Sequence, residues 1–215
     1  MNALSGIIEK YAAFEAEVGA YTARIFRDRC SACKGVCCRP EFCAESISSP
    51  FLDRVRRHFV PHAVCDAVHG WLTPTGCALT VGRPPVCYQF FCSTIQDAQP
   101  AAQSRYAIAI LCNLVGHVGK KACGPKHIVE VEDASQLKRI NLPRFEKQLN
   151  EAAGAFELVR AYLDGQIAEL SPSPALMKIS TVPAGFFPIR SCHAPVRYPL
   201  YRASRHRQKY ALRRI

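Results

Sequence analysis

Cysteines gathered in two short stretches constrain this chain more than any other feature. Spacings of two or three residues allow one turn of chain to direct two thiolates at a single metal. Zinc and a [4Fe–4S] cluster each take four such ligands. The pattern therefore predicts a metal centre held by sulfur. The first group is Cys30, Cys33, Cys37, Cys38 and Cys43, and the second is Cys77, Cys87 and Cys92.

Disulfide bridges are the alternative explanation for an even total of 12 cysteines. A chain of 215 residues, 49% of them hydrophobic, can bury a core without such bridges. The first residues show neither a basic segment nor an uninterrupted apolar run, so we expect no secretory signal and a cytoplasmic protein. Thiols stay reduced in that compartment, which favours metal binding or redox chemistry over disulfides.

The adjacent pair Cys37 and Cys38 bears on the kind of centre. Neighbouring side chains diverge in both helices and strands, so two adjacent thiolates do not easily bind one ion. Eight clustered cysteines also exceed the four ligands of one tetrahedral zinc. Both observations favour an iron–sulfur cluster, or more than one metal, over a single structural zinc. The sequence alone leaves iron and zinc open.

Three sequence segments resemble the YkgJ-like cysteine-cluster family. They are Cys-x2-Cys-Lys-Gly-Val-Cys-Cys from Cys30, Gly-Cys-Ala-Leu from Gly76, and Arg-Pro-Pro-Val-Cys-Tyr-Gln-Phe-Phe-Cys from Arg83. The resemblance covers residues 30–92 and implies a zinc- or iron-chelating protein. It implies that the motif cysteines are ligands, with Cys43 the least certain. One departure is that three residues, rather than the family's usual two, precede the cysteine pair.

Two further groups of residues are candidates for the site. His62, Cys65 and His69 would share one face of a helix that restarts at Pro61, and imidazole with thiolate suits a second zinc or iron site. The alternative is that both histidines face solvent. Arg83 lies between motif cysteines and is a candidate to hydrogen-bond cluster sulfurs, or else is an arginine in a surface turn.

The remaining cysteines are isolated in sequence, and for them we expect packing roles. Cys112 falls on an apolar helix, whereas Cys123 precedes Gly-Pro and could bring a ninth thiolate to the site. Cys192 is the third of these isolated cysteines.

The predicted fold is mainly α-helical, a small helical domain built around an irregular cysteine-rich centre. A domain over 1–170 precedes a basic, proline-containing extension over 171–215. The helix predictions rest on the periodic spacing of apolar residues and on capping residues at the helix starts. We expect helices over 4–28, from Ser49-Pro50 through a break at Pro61 to Trp71-Leu72, over 100–118 and over 143–163, a hairpin around 77–92, and a short strand over 127–131.

Three functions fit these observations. The first is an iron–sulfur protein, preferably [4Fe–4S], that exchanges electrons with a redox partner protein. The second is a zinc-stabilised module that binds nucleic acid or an acidic partner through the extension, which has nine basic and no acidic residues within a chain of net charge +11. A solvated tail explains the same charge. The third is a metalloenzyme, for which no phosphate-binding loop or Ser/His/Asp arrangement is visible.

Overall fold

Helices form most of the computed structural model, which describes residues 3–28, 40–66, 69–73, 76–89, 95, 98–99 and 101–180. None of the described helices combines the length and apolarity that a bilayer crossing requires. The helices are α1 (Ala3–Ile25), α2 (Pro40–Cys43), α3 (Glu45–Ser48), α4 (Pro50–Phe59), α5 (Val86–Gln89), α6 (Ala102–His117), α7 (Leu142–Leu163) and α8 (Pro174–Ser180).

The core lies where α1, α6 and α7 meet, and α6 packs most extensively against α7. Helix α1 buries one apolar stripe that includes Tyr11, Phe14 and Val18, as its periodicity predicts. The Phe14 and Tyr21 rings each meet the ring of Phe156 on α7 edge to face, with centroids 6.3 Å and 5.5 Å apart. These contacts fix α1 against α7.

Helix α4 begins as its sequence predicts. The Ser49 hydroxyl accepts a hydrogen bond from the backbone N–H of Leu52 at 3.3 Å, and Pro50 occupies the first helical turn. Phe51, Leu52 and Val55 are buried. Helix α4 packs against α1, so the segments on either side of it are held close to the core.

The predicted continuation of this helix from Pro61 to Trp71-Leu72 is wrong. Helix α4 ends at Phe59, and residues 60–65 form a turn followed by irregular chain. Proline lacks a backbone N–H and disfavours the helical conformation of the preceding residue, so the break at Pro61 becomes a stop.

A short hairpin is present, but it lies earlier than predicted. Strand β1 (Leu72–Thr73) pairs antiparallel with β2 (Gly76–Cys77), with Leu72 opposite Cys77. Among the described residues of the predicted region 77–92, Cys77 ends strand β2 and Val86–Gln89 is helical.

The strand predicted over 127–131 is also wrong. Ile128–Glu130 forms a 3-10 turn, which is followed by a second over Ala134–Arg139. The His127 Nδ1 atom accepts from the N–H of Val129 at 3.2 Å, and the His127 N–H donates to the Glu130 carboxylate at 2.8 Å. These local hydrogen bonds outweigh the alternating apolar pattern.

The packed body extends beyond residue 170, where the sequence analysis ended the domain. Helix α8 lies against α6 and α7 and buries Leu176 and Ile179. The Lys178 Nζ atom contacts a carboxylate oxygen of Glu151 on α7 at 3.0 Å. The rest of the predicted extension, 181–215, lies outside the described residues.

Candidate metal centre

Three of the eight clustered cysteines lie within the described residues. Cys43 is at the end of α2, Cys77 at the end of β2 and Cys87 in α5. No disulfide joins these three to one another or to another cysteine in the described part of the chain. The others, Cys30, Cys33, Cys37, Cys38 and Cys92, lie outside the described residues, so their ligand roles stay predictions.

One small apolar cluster brings together one cysteine from each of the two groups. Cys43, Trp71 and Leu79 are buried against one another, and Cys65 and Cys77 pack on them. We call these five residues the cysteine hub. Cys43 belongs to the first group and Cys77 to the second, and helices α3 and α4 and strand β1 lie between them in the chain. Two distant stretches of chain therefore place a thiol on the same apolar surface.

Trp71 fixes the position of Cys43 in the cysteine hub. Its indole Nε1–H donates to the Ser46 hydroxyl at 2.6 Å and contacts the Cys43 carbonyl at 3.3 Å. The Ser46 hydroxyl in turn donates to the Cys43 carbonyl at 2.7 Å. Trp71 immediately precedes β1, so these buried hydrogen bonds tie the end of α2 to the hairpin that carries Cys77.

The Arg56 guanidinium is placed beside the cysteine hub. It lies 5.3 Å from the centroid of the Trp71 ring and pairs with Asp53 at 2.5 Å. Burial, together with the neighbouring Cys43 and Asp66, raises the pKa of the Cys65 thiol, whereas Arg56 lowers it. Within the described structure, the Arg56 Nε–H is buried and has no hydrogen-bond partner. This buried donor therefore has unused hydrogen-bonding capacity near the Cys65 thiol.

Arg83 lies between the other two described motif cysteines. Its Nε–H donates to the Leu79 carbonyl at 2.5 Å, which ties the side chain to the cysteine hub. Burial disfavours its charge, but the surrounding groups outweigh burial and raise the pKa of Arg83. Those groups are Tyr88, Cys77, Glu15 and Cys87.

A buried carboxylate on α1 holds the Arg83 segment in place. The side chain of Glu15 is fully buried. Its oxygens accept hydrogen bonds from the backbone N–H of Gly82 at 2.7 Å, from the N–H of Arg83 at 2.8 Å and from the Tyr88 hydroxyl at 2.9 Å. Burial raises the pKa of Glu15 to about 7, and these hydrogen bonds and Arg83 oppose that rise.

Gly82 lets the two arginine-bearing segments approach each other. Its φ is +77°, in the left-handed region that side chains rarely adopt. A Cβ atom at this position would lie 3.1 Å from the backbone nitrogen of Arg56. The chain beside Arg83 thus rests directly on α4 at Arg56.

The proposed helical face of His62, Cys65 and His69 does not form, because these residues lie in turns and irregular chain. Both histidines are exposed, and the His69 ring contacts Asp66 at 3.0 Å. Only Cys65 reaches the cysteine hub. In the part of the chain that the structure describes, no three or more His, Cys, Asp or Glu side chains are placed to hold a metal ion.

Cys112 and Cys123 pack against the main core, as predicted for isolated cysteines. Burial raises the pKa of both thiols. Cys123 also forms the predicted turn, in which it bridges to Lys126. Cys192 lies outside the described residues.

Three residues that the sequence analysis passed over shape this site: Glu15, Arg56 and Trp71. The position of Glu15 carried a signal, because it follows Tyr11 by four residues and so falls on the buried stripe of α1. An acid on such a stripe needs buried hydrogen-bond donors. Arg56 had no comparable signal, since its role depends on the distant Trp71 and Cys65.

The chain matches no protein-family model, no curated protein and no solved structure.

Proposed function

We propose that this chain holds a metal centre through its clustered cysteines, preferably a [4Fe–4S] cluster, and exchanges electrons with a redox partner protein. The observation that carries the proposal is the cysteine hub, where Cys43 and Cys77 from separate groups pack on Trp71 and Leu79. The resemblance to the YkgJ-like family supports the same centre, and we propose membership of that family.

The chemistry of the donors fits a metal that prefers sulfur. Thiolates select zinc, copper(I) or iron–sulfur clusters over magnesium or calcium. The proposed ligands are drawn from Cys43, Cys77 and Cys87 together with the motif cysteines outside the described residues. Cys65 becomes an additional candidate because its thiol lies in the cysteine hub next to Cys43.

The two arginines suit a metal centre held by thiolates, whether that centre is a [4Fe–4S] cluster or a zinc ion with four thiolates. A [4Fe–4S] cluster with four thiolates carries net negative charge, which nearby guanidinium groups offset. Arg83 interacts electrostatically with Cys77 and Cys87, and the buried Nε–H of Arg56 suits a hydrogen bond to sulfur. When bound, such a cluster supplies reversible one-electron transfer. The protein's part is to bind it, offset its charge and exclude water with Trp71 and Leu79.

The alternative is that zinc is bound by the same ligands and that the protein is a zinc-stabilised binding module. That version relies on the basic extension, of which residues 181–215 lie outside the described residues, and it stays a prediction. The metalloenzyme hypothesis gains little support. A cleft of about 510 Å³ opens between α1 and α7, but its charged side chains pair with one another, as Arg24 does with Asp164 and Arg160 with Glu157.

Metal analysis of protein purified without oxygen tests the proposal. We expect iron and acid-labile sulfide, a brown colour, and absorption near 400 nm that bleaches on reduction. Zinc alone, with no iron or sulfide even after reconstitution, would contradict the iron–sulfur version. No bound metal of any kind would contradict the metal centre itself.

Matched serine substitutions test the ligands. We expect Cys77→Ser and Cys87→Ser to lower metal content and thermal stability together, because losing a ligand also removes folding free energy. Cys123→Ser is the control, since that thiol packs on the main core, and its metal content should equal that of wild type. Wild-type metal content in both Cys77→Ser and Cys87→Ser would rule out these ligands.

A further inference from the structure

A group of exposed basic side chains gathers where the loop after α6 meets the start of α7. Lys120 and Lys121 belong to the loop, and Arg144 and Lys147 lie one helical turn apart on α7. We call these four residues the basic face. Lys138 and Arg139 end the 3-10 turn that precedes α7, and they flank the basic face.

Hydrogen bonds from α7 hold the loop in position. The Gln148 amide donates to the Lys120 carbonyl at 2.7 Å, and its oxygen accepts from the N–H of Gly119 at 3.2 Å. The Arg144 guanidinium donates to the Lys121 carbonyl at 3.3 Å. The loop backbone is therefore anchored through its carbonyls, and the lysine side chains are exposed to solvent.

Lys121 has the unusual backbone of this loop. Its φ is +57°, and among the described residues it is the sole non-glycine with positive φ. Such a conformation carries strain for a side chain other than glycine, asparagine or aspartate. Backbone strain of this kind is concentrated at functional sites, which makes Lys121 a candidate functional residue.

The positive charge of the basic face is not cancelled locally. Within the described residues, none of its four side chains forms an ion pair. The acidic groups nearby are engaged elsewhere. Glu146 pairs with Lys10 at 2.6 Å, Glu132 with Lys126 at 3.7 Å, and Glu151 with His117 and Lys178 at 3.0 Å each.

The composition of this surface fits phosphate better than protein. Protein–protein interfaces have an apolar or aromatic centre and are depleted in lysine. Here the four members are lysine or arginine, and the exposed apolar residue beside them is Leu142, 39% exposed. Several exposed cations on an anchored backbone instead suit contacts to the repeated charges of a phosphodiester chain.

We propose that the basic face binds the sugar–phosphate backbone of a nucleic acid without reading its sequence. This function goes beyond the proposed metal centre, because its residues follow the motif cysteines in the sequence and need no metal. It also differs from binding through the extension, since its residues belong to the packed body.

Salt-dependent binding to labelled nucleic acids tests the proposal on the full chain. The probes are a duplex DNA and a single-stranded RNA, each about 20 nucleotides long, and fluorescence anisotropy is measured from about 50 to 200 mM salt. The double variant Lys120→Ala/Lys147→Ala should weaken duplex binding about tenfold or more at the lowest salt. It should also lower the slope of log K against log salt by about 1.8, the value for two lost phosphate contacts.

The control is Arg27→Ala/Arg54→Ala, which removes the same charge from exposed positions on α4 and just after α1. For this control, the affinity should change by less than about twofold, and the slope of log K against log salt should change by less than about 0.5. Equal losses in both double variants would overturn the proposal, as would wild-type binding weaker than about 100 µM at the lowest salt. A polyglutamate peptide of the same length that binds as tightly, and loses affinity in the same variant, would overturn the assignment to nucleic acid. Preference for the DNA or the RNA probe identifies which nucleic acid is bound.

Discussion

Replacing Glu15 with glutamine tests how the buried carboxylate supports the candidate centre. The pKa of Glu15 rises from its ordinary value of 4.5 to about 7, chiefly because the group is buried. The native state therefore holds this proton more tightly than the unfolded state does. Its stabilising effect is complete below pH 4.5 and is lost as the pH rises through about 7.

The size of this effect follows from the shift. A difference of 2.5 units (7 minus 4.5) at about 1.4 kcal/mol per unit gives about 3 kcal/mol. The variant Glu15→Gln lacks the titration. The glutamine side chain also places an N–H donor against one of the three hydrogen-bond donors that surround Glu15. This mismatch should lower the free energy of unfolding by about 1–3 kcal/mol more, independently of pH. The stability advantage of wild type over the variant should thus shrink by about 3 kcal/mol between acidic and mildly basic pH.

Urea denaturation at several pH values between about 4.5 and 8 measures this difference directly, because other titrations cancel between the two proteins. Glu17→Gln on the same helix is the control, since the Glu17 side chain is 53% exposed. Its difference from wild type should stay within about 0.5 kcal/mol at every pH. An equally flat difference for Glu15→Gln would refute the assignment of this proton to Glu15.

Two further substitutions test the packing that supports the centre. Gly82→Ala should lower the free energy of unfolding by about 2 kcal/mol or more, because a side chain is strained at φ +77° and its Cβ would press on Arg56. The matched change Gly154→Ala in α7, where nothing lies within 4 Å of the new Cβ, should add about 0.5–1 kcal/mol, and a loss as large as that of Gly82→Ala would contradict the interpretation. Leu176→Ala should cost about 2–5 kcal/mol in chemical denaturation because the side chain is fully buried in α8. The neighbouring Met177→Ala, 52% exposed, should change stability by less than about 0.5 kcal/mol, and equal effects of the two would show that α8 does not belong to the core.

Much of the helical framework was predictable from local sequence. Regular apolar spacing located α1, α6 and α7, and Ser49-Pro50 located the start of α4. The errors arose where local chemistry opposed a pattern. Pro61 stops a helix whose downstream histidines and cysteine continue the helical spacing. The alternating residues after His127 resemble a strand, yet its hydrogen bonds to Val129 and Glu130 produce a 3-10 turn.

The candidate site was predictable in its donors but not in its surroundings. Short cysteine spacings indicate a metal without any structure, and the position of Arg83 between motif cysteines suggested its neighbours. Arg56, by contrast, reaches Cys65 and Trp71 only after α4 and the hairpin fold together. The partners of Glu15 lie 67 to 73 residues away in the chain. Contacts at that separation leave no periodicity in the sequence that could reveal them.

Trp71 makes the cysteine hub observable by a simple optical measurement. It is the one tryptophan in the chain, and only 3% of its surface is exposed. Intrinsic emission excited selectively at the indole band therefore originates at a single point, beside the Cys43 carbonyl and under the Arg56 guanidinium. A shift of that emission to longer wavelength reports the opening of this contact specifically, whether or not the helices around the main core have separated.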